Sequence, residues 1–255
     1  MGCEGHIASL LILFLTEKRE MKTFIFDLDD TLIWTNIAYN SAHIKFLSFL
    51  IDALGPKAPS VVEMSKTFEE LDMEAAEKQG FVKERFPRSM QETYKKLCER
   101  AGASVDEKNL RRAYEIGLTV FDENCWQKRG LVEGAQETLD FLLSKGDDLV
   151  LCTKGDERIQ KRKVEVTGLD KWFKQVYVFN NKTYKELLKV SKGRHNPWKV
   201  GNSLRSDVVP AIKAGIGVIY IPCETWAFEK VSEVPEGKVL KLEKLSEIKE
   251  IYDAL

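Results

Sequence analysis

Histidine, paired cysteine, long apolar runs and any bias of charge are all scarce in this chain of 255 residues. Its three histidines, His6, His43 and His195, are too dispersed to propose a triad or a zinc site, and each reads as an ordinary surface or core histidine. The five cysteines (Cys3, Cys98, Cys125, Cys152, Cys223) are odd in number and form no C-x-x-C pair. That spacing suits neither a disulfide framework nor a metal cluster, and points to a reducing, cytoplasmic compartment. The apolar run at residues 8–15 falls far short of the roughly 20 residues that a membrane span needs. A formal net charge of −1 supplies no basic footprint for nucleic acid and no polybasic membrane patch. The expected partner is therefore a small molecule. Internal repeats and low-complexity tracts are also missing, and oligomeric state leaves no mark on the sequence.

Residues 1–20 have no clear part in a fold. A secretory signal would need a basic front end and a small-residue cleavage site, whereas Glu4 stands near the start and Thr16, Glu17 and Lys18 follow the apolar run. Met1-Gly2-Cys3 hints at acylation, but that pattern asks for Ser or Thr where His6 stands. The segment reads as an extension upstream of a start at Met21. Beyond it the composition, 44% hydrophobic and 31% charged, is that of a globular chain. The length suffices for a core domain with a smaller one inserted.

Residues 23–26 predict a buried strand that stops abruptly at Asp27-Leu28-Asp29-Asp30. Residues 37–127 then read as wholly helical and divide into four helices. Gly55-Pro56 ends the first and Gly80 the second. Pro87 and Ser89 open a third, closed by Gly102. Asp106 caps the fourth, with Leu110, Tyr114, Gly117, Leu118 and Phe121 on one side. After Gly130 helices alternate with short apolar strands, which fits a parallel sheet covered on both faces. Helices are expected at 135–145, 157–166, 184–190 and 207–214, and strands at 149–152, 176–179, 198–200 and 217–221. The first strand must join that sheet, because alone it could not protect its edges. The expected division is thus an extension at 1–20, an α/β core from 21–36 and 128–255, and a helical domain at 37–127.

Ligands of open α/β sheets gather at the carboxyl ends of the strands. Asp27 and Asp29, two apart on extended chain, present both carboxylates on one side while Leu28 points away. A carboxylate can attack phosphorus, and a neighbour can protonate the leaving oxygen and later deprotonate water. An acidic turn capping a helix accounts for the same tetrapeptide equally well. The second strand leads into Thr153, Lys154 and Gly155, a hydroxyl and small-residue turn before a helix, which favours an anion. The third leads into Lys182, and Lys185 lies one helical turn on. Lys182 follows the strand more closely and is preferred. The fourth leads through Gly201 to Asn202 and Asp207, oxygen donors suited to Mg²⁺, although Asp207 alone would serve as an N-cap.

In order and placement these residues resemble the four motifs of the haloacid dehalogenase superfamily, from Met21 to about Trp226. Asp27 to Leu32 resembles the first motif, Thr153 the second, Lys182 the third and Gly201 to Asp207 the fourth. The resemblance implies a Rossmann-like doubly wound parallel sheet with an inserted helical cap of the family's first type. It implies a phosphohydrolase acting on a small phosphomonoester, with Asp27 as nucleophile and Asp29 as general acid/base. Thr153, Lys154 and Lys182 would bind phosphate. Mg²⁺ would be held by the Asp27 side chain, the Asp29 carbonyl and the fourth motif, Asn202 and Asp207. Asn202 departs from the family's usual Gly-Asp and removes a negative charge from the metal site. A phosphomutase would use the same residues, and a catalytically weakened binding protein is the reading that Asn202 favours. A dehalogenase is expected to lack the second aspartate. Lys83, Arg85 and Arg88 in the helical block read as solvated charge rather than an anion site. Cys152 is expected to be inert packing, and Trp126, Trp172, Trp198 and Trp226 core or boundary aromatics.

Overall fold

The computed structural model describes residues 20–223, 229 and 231–255. The expectations for residues 1–19 and for Trp226 lie outside these. Six parallel strands form a sheet in the order β3-β2-β1-β4-β5-β6. They are β1 (Thr23–Phe26), β2 (Asp148–Lys154), β3 (Gln175–Phe179), β4 (Pro197–Gly201), β5 (Gly217–Tyr220) and β6 (Val239–Lys241). Strand β6 was not expected. It is three residues long, too short for periodicity to declare it.

Every residue of β1 is buried, because helices cover both faces of the sheet. Phe24 and Phe26 turn to one face and pack with Leu139, Leu142, Ile248 and Tyr252. Ile25 turns to the other, among Val150, Leu187, Val208 and Ala211. One Phe side chain removed from water in this way contributes on the order of 2 kcal/mol. Consecutive residues of one strand thus anchor two helical layers, as a doubly wound core requires.

Between β1 and β2 the chain leaves the sheet for an all-helical block: α1 (Asn36–Leu54), α2 (Val61–Gln79), α3 (Arg85–Arg100), α4 (Glu107–Leu118) and α5 (Glu123–Arg129). The block has its own apolar cluster, built around Phe46, Leu50, Phe68, Phe86, Met90 and Leu97. The four expected helices are present, and a fifth, α5, is set off by Asp122, which caps it by accepting from Asn124 N–H. Helix α3 starts two residues before Pro87, which occupies the first turn where its missing N–H is no loss. The buried side of α4 is Ala113, Ile116 and Gly117, rotated from the expected stripe. A Cβ on Gly117 would stand 2.5 Å from Pro87 Cα, so contact with α3 selects this face. Chain enters and leaves the block side by side, with Ile33 bridging Leu131 and Val132 N–H donating to Leu32 O at 2.8 Å.

The helices α6 (Ala135–Ser144), α7 (Glu157–Val166), α8 (Tyr184–Ser191) and α9 (Val209–Lys213) follow the expected alternation, and a short α10 (Ile248–Ile251) was not expected. Helix α9 is shorter than expected, because residues 204–208 form a wider π-type turn ahead of Pro210. The sheet order reverses beside β1: β2 and β3 lie on one side, β4 and β5 on the other. That reversal opens a crevice at the carboxyl ends of β1 and β4.

Candidate active site

Asp27 follows the last residue of β1 at that crevice, with its N–H donating to Val200 O of β4 at 2.9 Å. Its Oδ1 lies 2.5 Å from Lys182 Nζ. The same ammonium sits 2.6 Å from Asp207 Oδ1, and Lys199 Nζ stands 3.0 Å from that oxygen. All four groups are buried. Burial and the neighbouring Asp207 push the Asp27 carboxyl up, against the pull of Lys182 and Lys199. Burial also opposes ionisation of Asp207, but its two lysines prevail and hold it well below the usual carboxylate range. Lys182 is held firmly charged: desolvation works against its ammonium, while Asp207 and Asp27 more than offset it. Lys185 is exposed on α8, and it is Lys182 that reaches Asp27.

Asp29 is partly buried and has separate partners. Lys163 Nζ lies 2.6 Å from its Oδ1, Thr35 Oγ1 donates to Oδ1 at 2.7 Å, and Gln160 Nε2 donates to Oδ2 at 2.7 Å. Desolvation would raise this carboxyl, but the Lys163 charge and these donors outweigh it and keep Asp29 ionised. Asp30 takes the left-handed φ of 58° that turns the chain toward α1. Its Oδ1 accepts the N–H groups of Thr35 and Asn36 at the start of that helix. Burial nevertheless pushes its pKa up to about 6.

The other strand ends converge here. Thr153 Oγ1 accepts from Gln160 Nε2 at 2.8 Å. Lys154 Nζ donates to Ser206 Oγ at 2.7 Å, pairs with Glu229, and lies 4.2 Å from the Phe81 ring centroid. Burial lowers its pKa against the pull of Glu229. Asn202 Oδ1 accepts from Thr31 Oγ1 at 3.3 Å. Ser203 N–H donates to Asp207 Oδ2 at 3.1 Å, which folds the fourth-motif loop back on itself. A Cβ on Gly201 would come within 2.3 Å of Asp207 Cγ, so only glycine fits there.

These groups form part of the lining of a cavity of about 440 Å³ that the helical block also lines. Asp27, Asp29, Thr153, Lys154 and Asn202 line it, while Lys182 and Asp207 lie behind Asp27. The block contributes Tyr39, Phe68, Phe81, Phe86 and Phe121, together with His43, Asp72 and Arg85. Of the three basic residues expected to be solvated, Arg88 is exposed but Arg85 is buried and paired with Asp72. Asp72 lies 13 residues away on another helix, which sequence periodicity could not connect. Lys163, Gln160, Lys199 and Glu229 also escaped the sequence reading. Cys152 is buried, and desolvation pushes its thiol up to about 11, as suits packing. His43 packs tilted against Phe68 at 5.0 Å, with its Nε2 3.3 Å from Ser65 Oγ. Trp126, Trp172 and Trp198 are buried as expected.

Among the described residues no three His, Cys, Asp or Glu side chains gather as a metal cluster. The donors that fit Mg²⁺ are all oxygens, the Asp27 carboxylate, Asn202 Oδ1 and the Asp29 main-chain carbonyl, whereas the expected ligand Asp207 is instead engaged by Lys182, Lys199 and the Ser203 N–H. Mg²⁺ takes one or two carboxylates and keeps several waters, so this sparse hard set suits it. No described helix is long and apolar enough to cross a membrane.

A family model of the haloacid dehalogenase-like hydrolases matches residues 21–194. The chain belongs to that family. It is 26% identical over 213 residues to a pyrimidine 5′-nucleotidase, PynA, of Streptococcus pneumoniae, covering 78% of this chain and 83% of the relative. Among solved structures it resembles a haloacid dehalogenase-like hydrolase from Xanthomonas campestris. The TM-score is 0.71 at 21% identity, covering 92% of this chain and 96% of the other. YfnB of Bacillus subtilis, solved with magnesium, matches with a TM-score of 0.57 at 18% identity over 91% of this chain and 99% of its own. At these identities the solved structures speak for the fold.

Proposed function

We propose that this hydrolase is a Mg²⁺-dependent phosphatase acting on a small phosphomonoester through a phosphoaspartyl intermediate on Asp27. The observation that carries the reading is the Lys182 ammonium between Asp27 and Asp207, at the crevice where β1 and β4 end. A buried carboxylate beside a fixed cation is placed to meet a dianionic phosphate without leaving its own charge uncompensated.

The Asp27 oxygen attacks phosphorus and the ester oxygen departs, taking a proton from Asp29. Water then attacks the acyl phosphate, Asp29 accepts its proton, and inorganic phosphate leaves with Asp27 regenerated. Thr153 and Lys154 bind the phosphoryl oxygens, and Lys182 balances the charge that builds on Asp27. Asp27, Asn202 and the Asp29 carbonyl would hold Mg²⁺, with Asp207 anchoring Lys182 and the loop; the ion supplies neutralisation of the phosphoryl oxygens. The helical block acts as a cap that excludes water from the first step.

Asp29 stands here in its ionised form, ready for the second step. Its acid role in the first step requires Asp29 first to take up a proton from solvent, which the Lys163 ammonium 2.6 Å away opposes. The streptococcal relative's name, a 5′-nucleotidase, favours phosphoester hydrolysis over dehalogenation. A phosphomutase would use the same pair of aspartates, and product analysis separates the two. Phosphate release from p-nitrophenyl phosphate with and without Mg²⁺ tests the proposal. Absence of turnover at saturating Mg²⁺ would favour the binding-protein reading that Asn202 motivates.

A further inference from the structure

The cavity is larger than the phosphoryl chemistry needs. A phosphate would need only the strand-end side of the 440 Å³, and the helical block lines the rest of the cavity. Cavities of this order enclose an organic ligand rather than an inorganic ion. The lining that the helical block supplies includes a set of rings: Tyr39 and Phe86 meet edge to face at 4.8 Å, and Phe68 and Phe86 at 5.5 Å. Phe81 and Phe121 also line the space. Into this apolar surround α2 and α3 bring a buried ion pair, Arg85 Nη1 against the Asp72 carboxylate, with the guanidinium 5.3 Å from the Phe81 ring centroid.

From this we infer that the substrate carries a flat heteroaromatic head group of the nucleobase kind, read along its hydrogen-bonding edge by Arg85 and Asp72. The inference rests on the reading of Asp27 as phosphoryl acceptor and adds the identity of what the phosphate is attached to. Arginine only donates and aspartate only accepts, so side by side they match an edge that offers an acceptor next to a donor, as an amide-like ring edge does. Aromatic side chains hold such a ring by its faces whichever base it is. An aliphatic phosphate ester would leave the ring-lined surface without a counterpart.

A structural role alone explains the pair less well. The seam between α2 and α3 is already closed by Met64, Phe68, Phe86 and Met90, and a buried ion pair is often no more stabilising than the apolar residues that could replace it. The pair, though buried, also borders the cavity.

The experiment compares kcat/KM for pyrimidine and purine nucleoside 5′-monophosphates, glycerol 3-phosphate and p-nitrophenyl phosphate in wild type, Arg85→Met and Asp72→Asn. Nucleotides should be the better substrates. Each variant should lower their kcat/KM by roughly tenfold or more, with p-nitrophenyl phosphate little changed. A merely structural pair would lower all esters alike. The double variant Arg85→Met, Asp72→Leu removes both charges together, so a folded, nucleotide-defective protein remains measurable if a single one misfolds. Binding of phosphate-free nucleosides, followed by ligand-observed NMR at millimolar concentration, decides the inference independently of Asp27. Binding to wild type and its loss in the double variant support the inference even if no ester is hydrolysed. Preference for glycerol 3-phosphate, an equal loss on every ester, or no nucleoside binding would overturn it.

Discussion

Lys163 Nζ lies 2.6 Å from Asp29 Oδ1, so the second aspartate of the first motif is held by a lysine of α7 rather than by the lysine that serves Asp27. Lys163 keeps the Asp29 carboxyl low against the opposing effect of burial. Removing it in Lys163→Met must therefore raise the Asp29 pKa. Hydrolysis of the acyl phosphate needs Asp29 ionised, so the acidic limb of the kcat profile should move to higher pH. Initial rates across the acid range for both proteins check this. An unmoved limb would mean that Lys163 only packs.

Replacing the Asp29 carboxyl itself, as Asp29→Asn, should slow turnover by about a hundredfold or more, the usual size of a general acid/base contribution. Steady-state kinetics with an ester of poor leaving group should show the larger loss, because such a leaving group depends most on the proton. Equal rates for variant and wild type would remove Asp29 from the mechanism.

Metal dependence should respond to two residues of β4 and its loop. Lys182 and Lys199 face Asp27 and Asp207, so these charges cancel, and Asn202 brings none. A divalent cation gains from each added anion and from each cation removed. Asn202→Asp should lower the Mg²⁺ concentration for half-maximal rate, and Lys199→Met should shift it the same way. Calorimetric titration with Mg²⁺ gives a second readout free of turnover. If Asn202→Asp leaves both unchanged, Asn202 is not a metal ligand.

Asp30 offers a test in stability. Its pKa is pushed up to about 6 in the fold, above the ordinary carboxyl value of about 4. Between those values the folded state binds the proton more readily than the unfolded chain does. This group's contribution to stability is therefore present at low pH and lost as pH rises through about 6. Asn at position 30 keeps the Oδ1 acceptor for Thr35 and Asn36 and tolerates the left-handed backbone. Asp30→Asn should thus melt no lower than wild type at neutral pH, and its melting temperature should vary less between pH 4 and 6. A large loss at neutral pH would show that the charge itself is needed to cap α1.

What could be read from the sequence was what a strand end displays. Asp27, Asp29, Thr153, Lys182, Asn202 and Asp207 all stand at or within a few residues of the carboxyl end of an apolar strand, and a parallel sheet must bring such ends together. The supporting residues come from elsewhere. Gln160 and Lys163 sit on the buried side of α7, yet its many charges read as a solvated helix. The trace they left is a Gln and a Lys three apart in phase with Val164. Lys199 left a plainer sign, a charge between Trp198 and Val200 in a strand buried on both faces, which demands an anionic partner. Glu229 gave none, since only the folding back of the chain brings it to Ser203 and Ser206. Arg85 was read as solvated because Asp72, which neutralises it, belongs to a different helix.

The central claim is that Asp27 itself takes the phosphoryl group, and the most direct measurement is Mg²⁺-dependent phosphate release by wild type and Asp27→Asn side by side. The amide keeps the shape of the side chain and removes its nucleophilic oxygen charge. The account predicts release by wild type that chelator stops, and none above background in the variant, with both proteins folded by circular dichroism. Undiminished release by Asp27→Asn would contradict it.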